Sequence, residues 1–253
     1  MQHRDNGRMK ASATPFADPF VFTKKTVYMQ RIADLIGTGH IQYVQGIVAI
    51  EKAGFLAGKF DVRFDILKTK LQASRGRKAG KSSTRLLLLH PAAEATELQW
   101  VLLHFPSSIP DESEKWRNAL QDRISVTGYE LLRITKPEEP RPVWTWRYSR
   151  CRQDDLRHAI IQCIRQNRDR DLEELIHTIW RSPGFAGIRD QVKKFGALIK
   201  HEWKRSRKSP EKMPDIPSRI GYLRRLKDVG MKLSTLRRNI SNQNAVEVTR
   251  KME

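Results

Sequence analysis

Gly80-Lys81-Ser82 has the residue types that close a phosphate-binding loop. Such a loop needs G-x-x-x-x-G-K-[ST] between a strand and a helix. Here the residue five before Gly80 is Arg75, and Gly76 leaves only three residues before Gly80. The context is also reversed: the segment before reads as helix, and Leu86–Leu89 after it reads as strand. Lys81 would then not sit at a helix N-terminus, where amides and dipole together hold phosphate. No apolar strand ends in an aspartate that could hold magnesium. The whole stretch 68–85 reads instead as a flexible basic loop. It carries Lys68, Lys70, Arg75, Arg77, Lys78, Lys81 and Arg85 and no acid.

Other residues that could do chemistry are scattered. H-E-x-x-H, G-x-S-x-G and the zinc-deaminase pattern are absent. His90 and His104 each end an apolar run. In an antiparallel pair they lie at opposite ends, about 16 Å apart at roughly 3.3 Å per residue, and do not form a catalytic pair. His40 reads as a polar turn residue, and His158 and His177 as helix-surface residues. His201-Glu202 lies on a basic helix without a second histidine at the spacing a metal needs. Tyr28, Tyr43, Tyr129, Tyr148 and Tyr222 are all candidates for a strand-cleaving nucleophile, and nothing singles one out. Cys151 and Cys163 are too few for a disulfide framework or a zinc site, and Cys163 falls on a core face. The expectation is no cofactor and no metal, with enzymatic activity undecided.

Charge carries the functional reading. The 253 residues have a formal net charge of +20. By segment, residues 1–67 carry +3, 68–85 carry +7, 86–149 carry −2 and 150–253 carry +12. A near-neutral body thus bears two cationic regions, the distribution that neutralises phosphates and releases their counterions. The reading is a nucleic-acid-binding protein, DNA favoured over RNA, with replication, partition or regulation of a genetic element as its candidate roles. Contacts are expected from the seven cations of 68–85, from Lys193, Lys194, Lys200 and Lys204, and from Arg224 and Arg225. A nuclease acting on RNA or DNA, or a basic ribonucleoprotein subunit, are the alternatives. No apolar run reaches the roughly 20 residues that span a bilayer, and no secretory signal is evident. The expectation is an intracellular protein, cytoplasmic or nucleoid-associated, with no membrane partner.

The elements that must position these residues follow from periodicity. Tyr28, Ile32, Leu35 and Ile36 mark a helix over 24–36, and Ala53, Leu56, Phe60, Phe64 and Leu67 one over 51–67. A third helix is expected over 111–122, started by Pro110 and Asp111. Strands are expected at 41–49, 85–90, 98–105, 129–135 and 143–148. In the last, Trp144, Trp146 and Tyr148 share a face that reads as core rather than as a base-stacking platform. From residue 150 the period is helical, and three helices run to 205, which permits a helix-turn-helix reading. The fold class is α/β of the α+β type: a mostly antiparallel sheet of about five strands with helices on one face, then a basic three-helix segment. Four regions are expected: a disordered arm to residue 22, an α/β domain over 23–149, a helical segment or subdomain over 150–208, and a basic, partly disordered tail over 209–253. That tail has a short amphipathic helix around Leu223, Leu226 and Val229.

Overall fold

Residues 16–106, 114–136, 139–207 and 211–252 are described here, from a computed structural model. In chain order the elements are β1 (Phe20–Phe22), α1 (Lys25–Gly37), β2 (Gln42–Ala49), α2 (Ala53–Phe64), α3 (Lys70–Lys78), β3 (Ser83–Leu89) and β4 (Glu97–Phe105). Then come β5 (Arg117–Asn118), β6 (Ser125–Val126), β7 (Tyr129–Lys136), β8 (Glu139–Tyr148), α4 (Arg150–Arg165), α5 (Asp169–Trp180), α6 (Ala186–Ser206), β9 (Gly230–Lys232) and α7 (Leu233–Met252). They form a mixed α/β fold with two sheets.

Strand alternation sorts the first sheet into two buried faces. Its order is β5-β2-β4-β3-β1-β9, antiparallel except that β1 runs parallel to β3. Tyr43, Leu103, Val101 and Leu89 share a core with Val27, Met29, Ile32 and Ile36 of α1. Leu102 points the other way, onto Ala57 and Phe60 of α2. Leu88 and Leu98 do likewise, onto Ala53 of α2 and Leu233 and Leu236 of α7. The first two helices therefore lie on opposite faces, not on one. A strand buried on both sides reads as a continuous apolar run, and Leu86–Leu89 is such a run.

The second sheet is a separate three-stranded antiparallel unit, β6-β7-β8. The expected five-strand sheet divides because β7 and β8 pair along their length with each other, from Tyr129↔Tyr148 to Lys136↔Glu139. Trp146 and Tyr148 are buried in the core as expected, and the Trp146 indole donates to the Met29 carbonyl of α1 at 2.9 Å. The three helices α4–α6 fall where the periodicity placed them. Their Ile160, Cys163, Leu172, Ile176, Val192 and Ile199 join the same core as α1 and β8. Glu202 of α6 is buried, yet accepts from Arg165 of α4 at 2.7 Å and from Arg205 at 2.6 Å. Those hydrogen bonds, Arg205's first, hold its carboxyl at about 2 against the opposing effect of burial. His201-Glu202 is thus half of a structural brace.

Four further expectations change. The helix expected at 111–122 is absent where the chain is described, and residues 107–113 lie outside the described residues. Arg117 and Asn118 instead extend the sheet against Tyr43 and Gln42. The Asn118 side chain accepts from the Leu120 amide at 2.9 Å, the local competition with helix that asparagine favours. The arm expected to be disordered to residue 22 is ordered from Phe16: Ala17 is buried and Phe20–Phe22 is a strand. The expected loop at 68–85 contains α3. Lastly, the short helix expected around residue 226 does not form.

In its place residues 211–229 run as an irregular strap held by side chains. The Gln30 amide of α1 donates to the Arg224 carbonyl at 2.8 Å and accepts from the Leu226 amide at 3.2 Å. The Trp180 indole donates to the Pro217 carbonyl at 2.8 Å. Gly184 lets the strap approach: a Cβ there would lie 2.0 Å from the Gly221 carbonyl oxygen, whereas one on Gly221 would meet nothing within 4 Å. Because the obstacle is main chain, Gly184→Ala must displace the strap at a cost of about 1–3 kcal/mol. At about 2–4 °C per kcal/mol for a chain of this size, thermal melting should show a drop of several degrees for Gly184→Ala and little change for Gly221→Ala.

Candidate nucleic-acid interface

The glycine that suggested a phosphate loop ends a helix. Thr69 caps α3: its hydroxyl accepts from the Gln72 amide at 3.2 Å, and the Gln72 side chain accepts from the Thr69 amide at 2.9 Å, a capping box. At the other end Gly80 has φ +74°. Its amide donates to the Arg77 carbonyl and that of Lys81 to the Gly76 carbonyl, the two bonds of a Schellman stop. Lys81 therefore follows a helix C-terminus, where the dipole repels phosphate. Arg75, Arg77 and Lys78 in the last turn suit that dipole.

Pro19 sets the site's position. It cannot donate to a ladder, and β1 begins after it, pairing only with Leu88 and Leu89 of β3. Among the described residues, the earlier part of β3 has no strand on that side. Arg85, Leu86 and Leu87 there line a cleft of about 580 Å³. Its other walls are Leu35 and Thr38 of α1, Ile66–Lys68, Arg77 of α3, Phe20 and Phe22, and Arg225, Asp228 and Lys232 from the strap and β9. Six cations line it (Arg31, Lys68, Arg77, Arg85, Arg225 and Lys232) against two acids, Asp34 and Asp228.

The ion pairs divide these cations into satisfied and unsatisfied. Arg31 contacts Asp228 at 2.5 Å and Asp34 at 3.4 Å, and Arg225 contacts Asp34 at 2.6 Å. Both acids are therefore spent on Arg31 and Arg225. Lys68 meets Asp65 at 2.8 Å in an exposed pair, which is weak. Lys232 donates to the Asp18 carbonyl. Arg85 is half-buried and fixed by main chain, donating to the carbonyls of Lys68 and, at 3.0 Å, Thr69. Burial first, then the charge of Arg77, lower its pKa, with Asp65 opposing. The Arg77 side chain has no hydrogen bond or ion pair among the described residues. Two guanidiniums thus face one cleft, and among the described residues no carboxylate forms an ion pair with either.

Two histidines lie buried near this charge. His40 is fully buried rather than an exposed turn residue, with Nδ1 3.1 Å from the Leu35 carbonyl and 3.2 Å from the Thr38 hydroxyl. Burial above all, with smaller help from Arg77, Arg85 and His104 and against the Leu35 carbonyl, lowers its pKa to about 4. His104 hydrogen-bonds Thr84 at 2.8 Å and is lowered by burial. His90, at the far end of the β3–β4 pair, contacts the Ala95 carbonyl at 2.9 Å. Four of the five tyrosines are core residues, and only Tyr222 is open, under the guanidinium of Arg189.

The structure brings Lys68, Arg77, Arg85 and Arg225 together in one cleft. Arg75 and Lys81, with Lys68 again, line a second hollow of about 370 Å³ beside α3. Lys70 opens α3, and its side chain is outside the described residues; Lys78 is exposed near the helix end. Lys193, Lys194, Lys200 and Lys204 are exposed on α6, away from its buried stripe, and line neither cavity. Arg224 is exposed on the strap. Sequence reasoning missed Arg31, Lys232 and Phe20. Arg31 was hidden on the polar side of an ordinary amphipathic helix, and the other two sit on three-residue strands too short to show a period. Among the described residues, no group of three or more His, Cys, Asp or Glu could hold a metal, and no helix is long and apolar enough to cross a membrane. Comparison with protein-family models, curated proteins and solved structures returns no match.

The buried His40 has a pH consequence. Its folded pKa lies below the unfolded value near 6.5, so the unfolded chain takes up the proton first. Stability is therefore complete above about pH 6.5 and falls as pH drops toward 4, by about 3 kcal/mol in total. Chemical denaturation across that window should show this slope, and His40→Asn, which keeps the Nδ1 position but cannot titrate, should flatten it.

Proposed function

We propose that the chain is a nucleic-acid-binding protein that holds phosphates along the α3 side of the first sheet, with DNA as the partner to test first. One observation carries this reading: segments distant in sequence (α1, residues 66–85 and the C-terminal strap) converge on a cleft with six cations and two acids. Both acids are already paired, and Arg77 is left without a carboxylate. Clustered cations with no internal counter-charge are the electrostatic footprint of a phosphate-binding surface. The exposed lysines of α6 would form a second, looser contact.

Binding is favoured over cutting by the composition of the cleft. Its described lining holds no histidine, tyrosine, cysteine or serine. His40 and His104 are buried and biased toward the neutral form, each engaged through Nδ1. The Thr38 hydroxyl in the lining is engaged with the Leu35 carbonyl and His40, and the two acids are held by Arg31 and Arg225.

The test is a salt titration of the full chain with a labelled oligonucleotide. Log affinity should fall linearly with log salt between about 50 and 200 mM, by about 0.7–0.9 per phosphate contact. Replacing Lys193, Lys194, Lys200 and Lys204 together by glutamine should cost less affinity than replacing Arg77 and Lys68. An affinity flat in salt overturns the proposal.

A further inference from the structure

We infer that the cleft accepts a single nucleic-acid strand, with one phosphate between Arg77 and Arg85 and the adjoining base against Phe20. This rests on the nucleic-acid reading above and narrows it to a strand class and a contact pair.

The geometry begins with register. Val21 pairs with Leu88 in parallel, so Phe20 stands beside Leu87. Leu87 and Arg85 are two apart on one strand and share a face. Phe20 and Arg85 therefore occupy the same side of the sheet, offset by about 7 Å along the strands and one strand spacing across them. Both residues line the cleft. Phe20 is 37% exposed, an unusual state for a large aromatic with this much apolar surface beside it. It is fixed edge-on against Phe22, ring centroids 5.1 Å apart.

The electrostatics select the phosphate position. Arg31 and Arg225 are neutralised within the protein, whereas Arg77 and Arg85 both line the cleft and have no ion pair among the described residues. Arg85 is already oriented by two main-chain carbonyls, so it loses little freedom on binding. An anion between the two guanidiniums relieves their repulsion.

The apolar walls select the strand form. A duplex is a stiff rod with phosphates outside and bases stacked within. It can neutralise surface lysines but cannot lay one of its stacked bases on Phe20 in the wall of a concave cleft. A positive groove interleaved with aromatic surface is the way single strands are held.

The experiment measures binding of the full chain to a labelled run of thymidines, to a duplex of equal length, and to an abasic strand with the same phosphates. The thymidine run should bind at least about tenfold tighter than either of the others, since one base stacked on an aromatic is worth about 5–150-fold. Phe20→Leu should weaken the thymidine run by about tenfold without changing its salt slope, while Phe20→Tyr keeps wild-type affinity. Arg77→Gln should lower the slope by about 0.7, the value of one single-strand phosphate contact. If Phe20→Leu fails to fold, the abasic strand asks the same question from the ligand's side. A duplex bound as tightly as the thymidine run, or an abasic strand bound equally well, overturns the single-strand inference and leaves nucleic-acid binding standing. If none of the three binds at low salt, both readings fall.

Discussion

Everything on the C-terminal side of the cleft depends on how α1 grips a segment that has no secondary structure of its own. An irregular chain cannot satisfy its amides internally, so buried or half-buried stretches need partners from elsewhere. Gln30 supplies two, meeting one strap carbonyl and one strap amide with the two ends of its own amide. Arg31 adds the Leu226 carbonyl and Asp228. These contacts lay the strap along α1 and deliver β9 to the open edge of β1. They also bring Arg225 and Asp228 to the cleft. One polar pair on one turn of helix thus fixes both the sheet's outer edge and the charge of the site.

The cleft is a place where the fold declines to complete itself. A strand continuing β1 backward through Pro19 would lie beside Leu86 and Arg85, and an acid between Arg77 and Arg85 would offset their like charge. Neither is present among the described residues. Unrelieved like charge costs stability, and here it is confined to one wall while Arg31, Arg225 and Glu202 elsewhere are carefully paired. Local rules broken at one spot and obeyed around it are characteristic of functional surface.

The parts of this fold that were legible in the sequence are those where apolar spacing extends over several turns or a full strand. Ala53–Phe60, Leu98–Leu103, Trp144–Tyr148 and the three helices after residue 150 all declared themselves this way. The central sheet's division in two was not legible, because periodicity reports what a strand buries and not which strand lies beside it. α3 carried a visible signal in Thr69-x-x-Gln72, but seven cations in eighteen residues made the stretch read as loop. The site was half-legible for a related reason. Lys68, Arg77 and Arg85 lie in one run, so clustering found them. Arg31 and Lys232 reach the cleft only through folding, and no local pattern distinguishes them from other surface cations.

Val21 pairs with Met231, 210 residues further along the chain. Pairings so remote close large loops and form slowly. During synthesis, the outer edge of β1 stays unpaired until residue 232 has emerged and the strap has docked on α1. The cleft loses one wall for the same interval, so a nascent chain would present its cationic helix before it presents a finished pocket. The order of assembly thereby separates acquiring positive charge from acquiring the shape that could make its use selective.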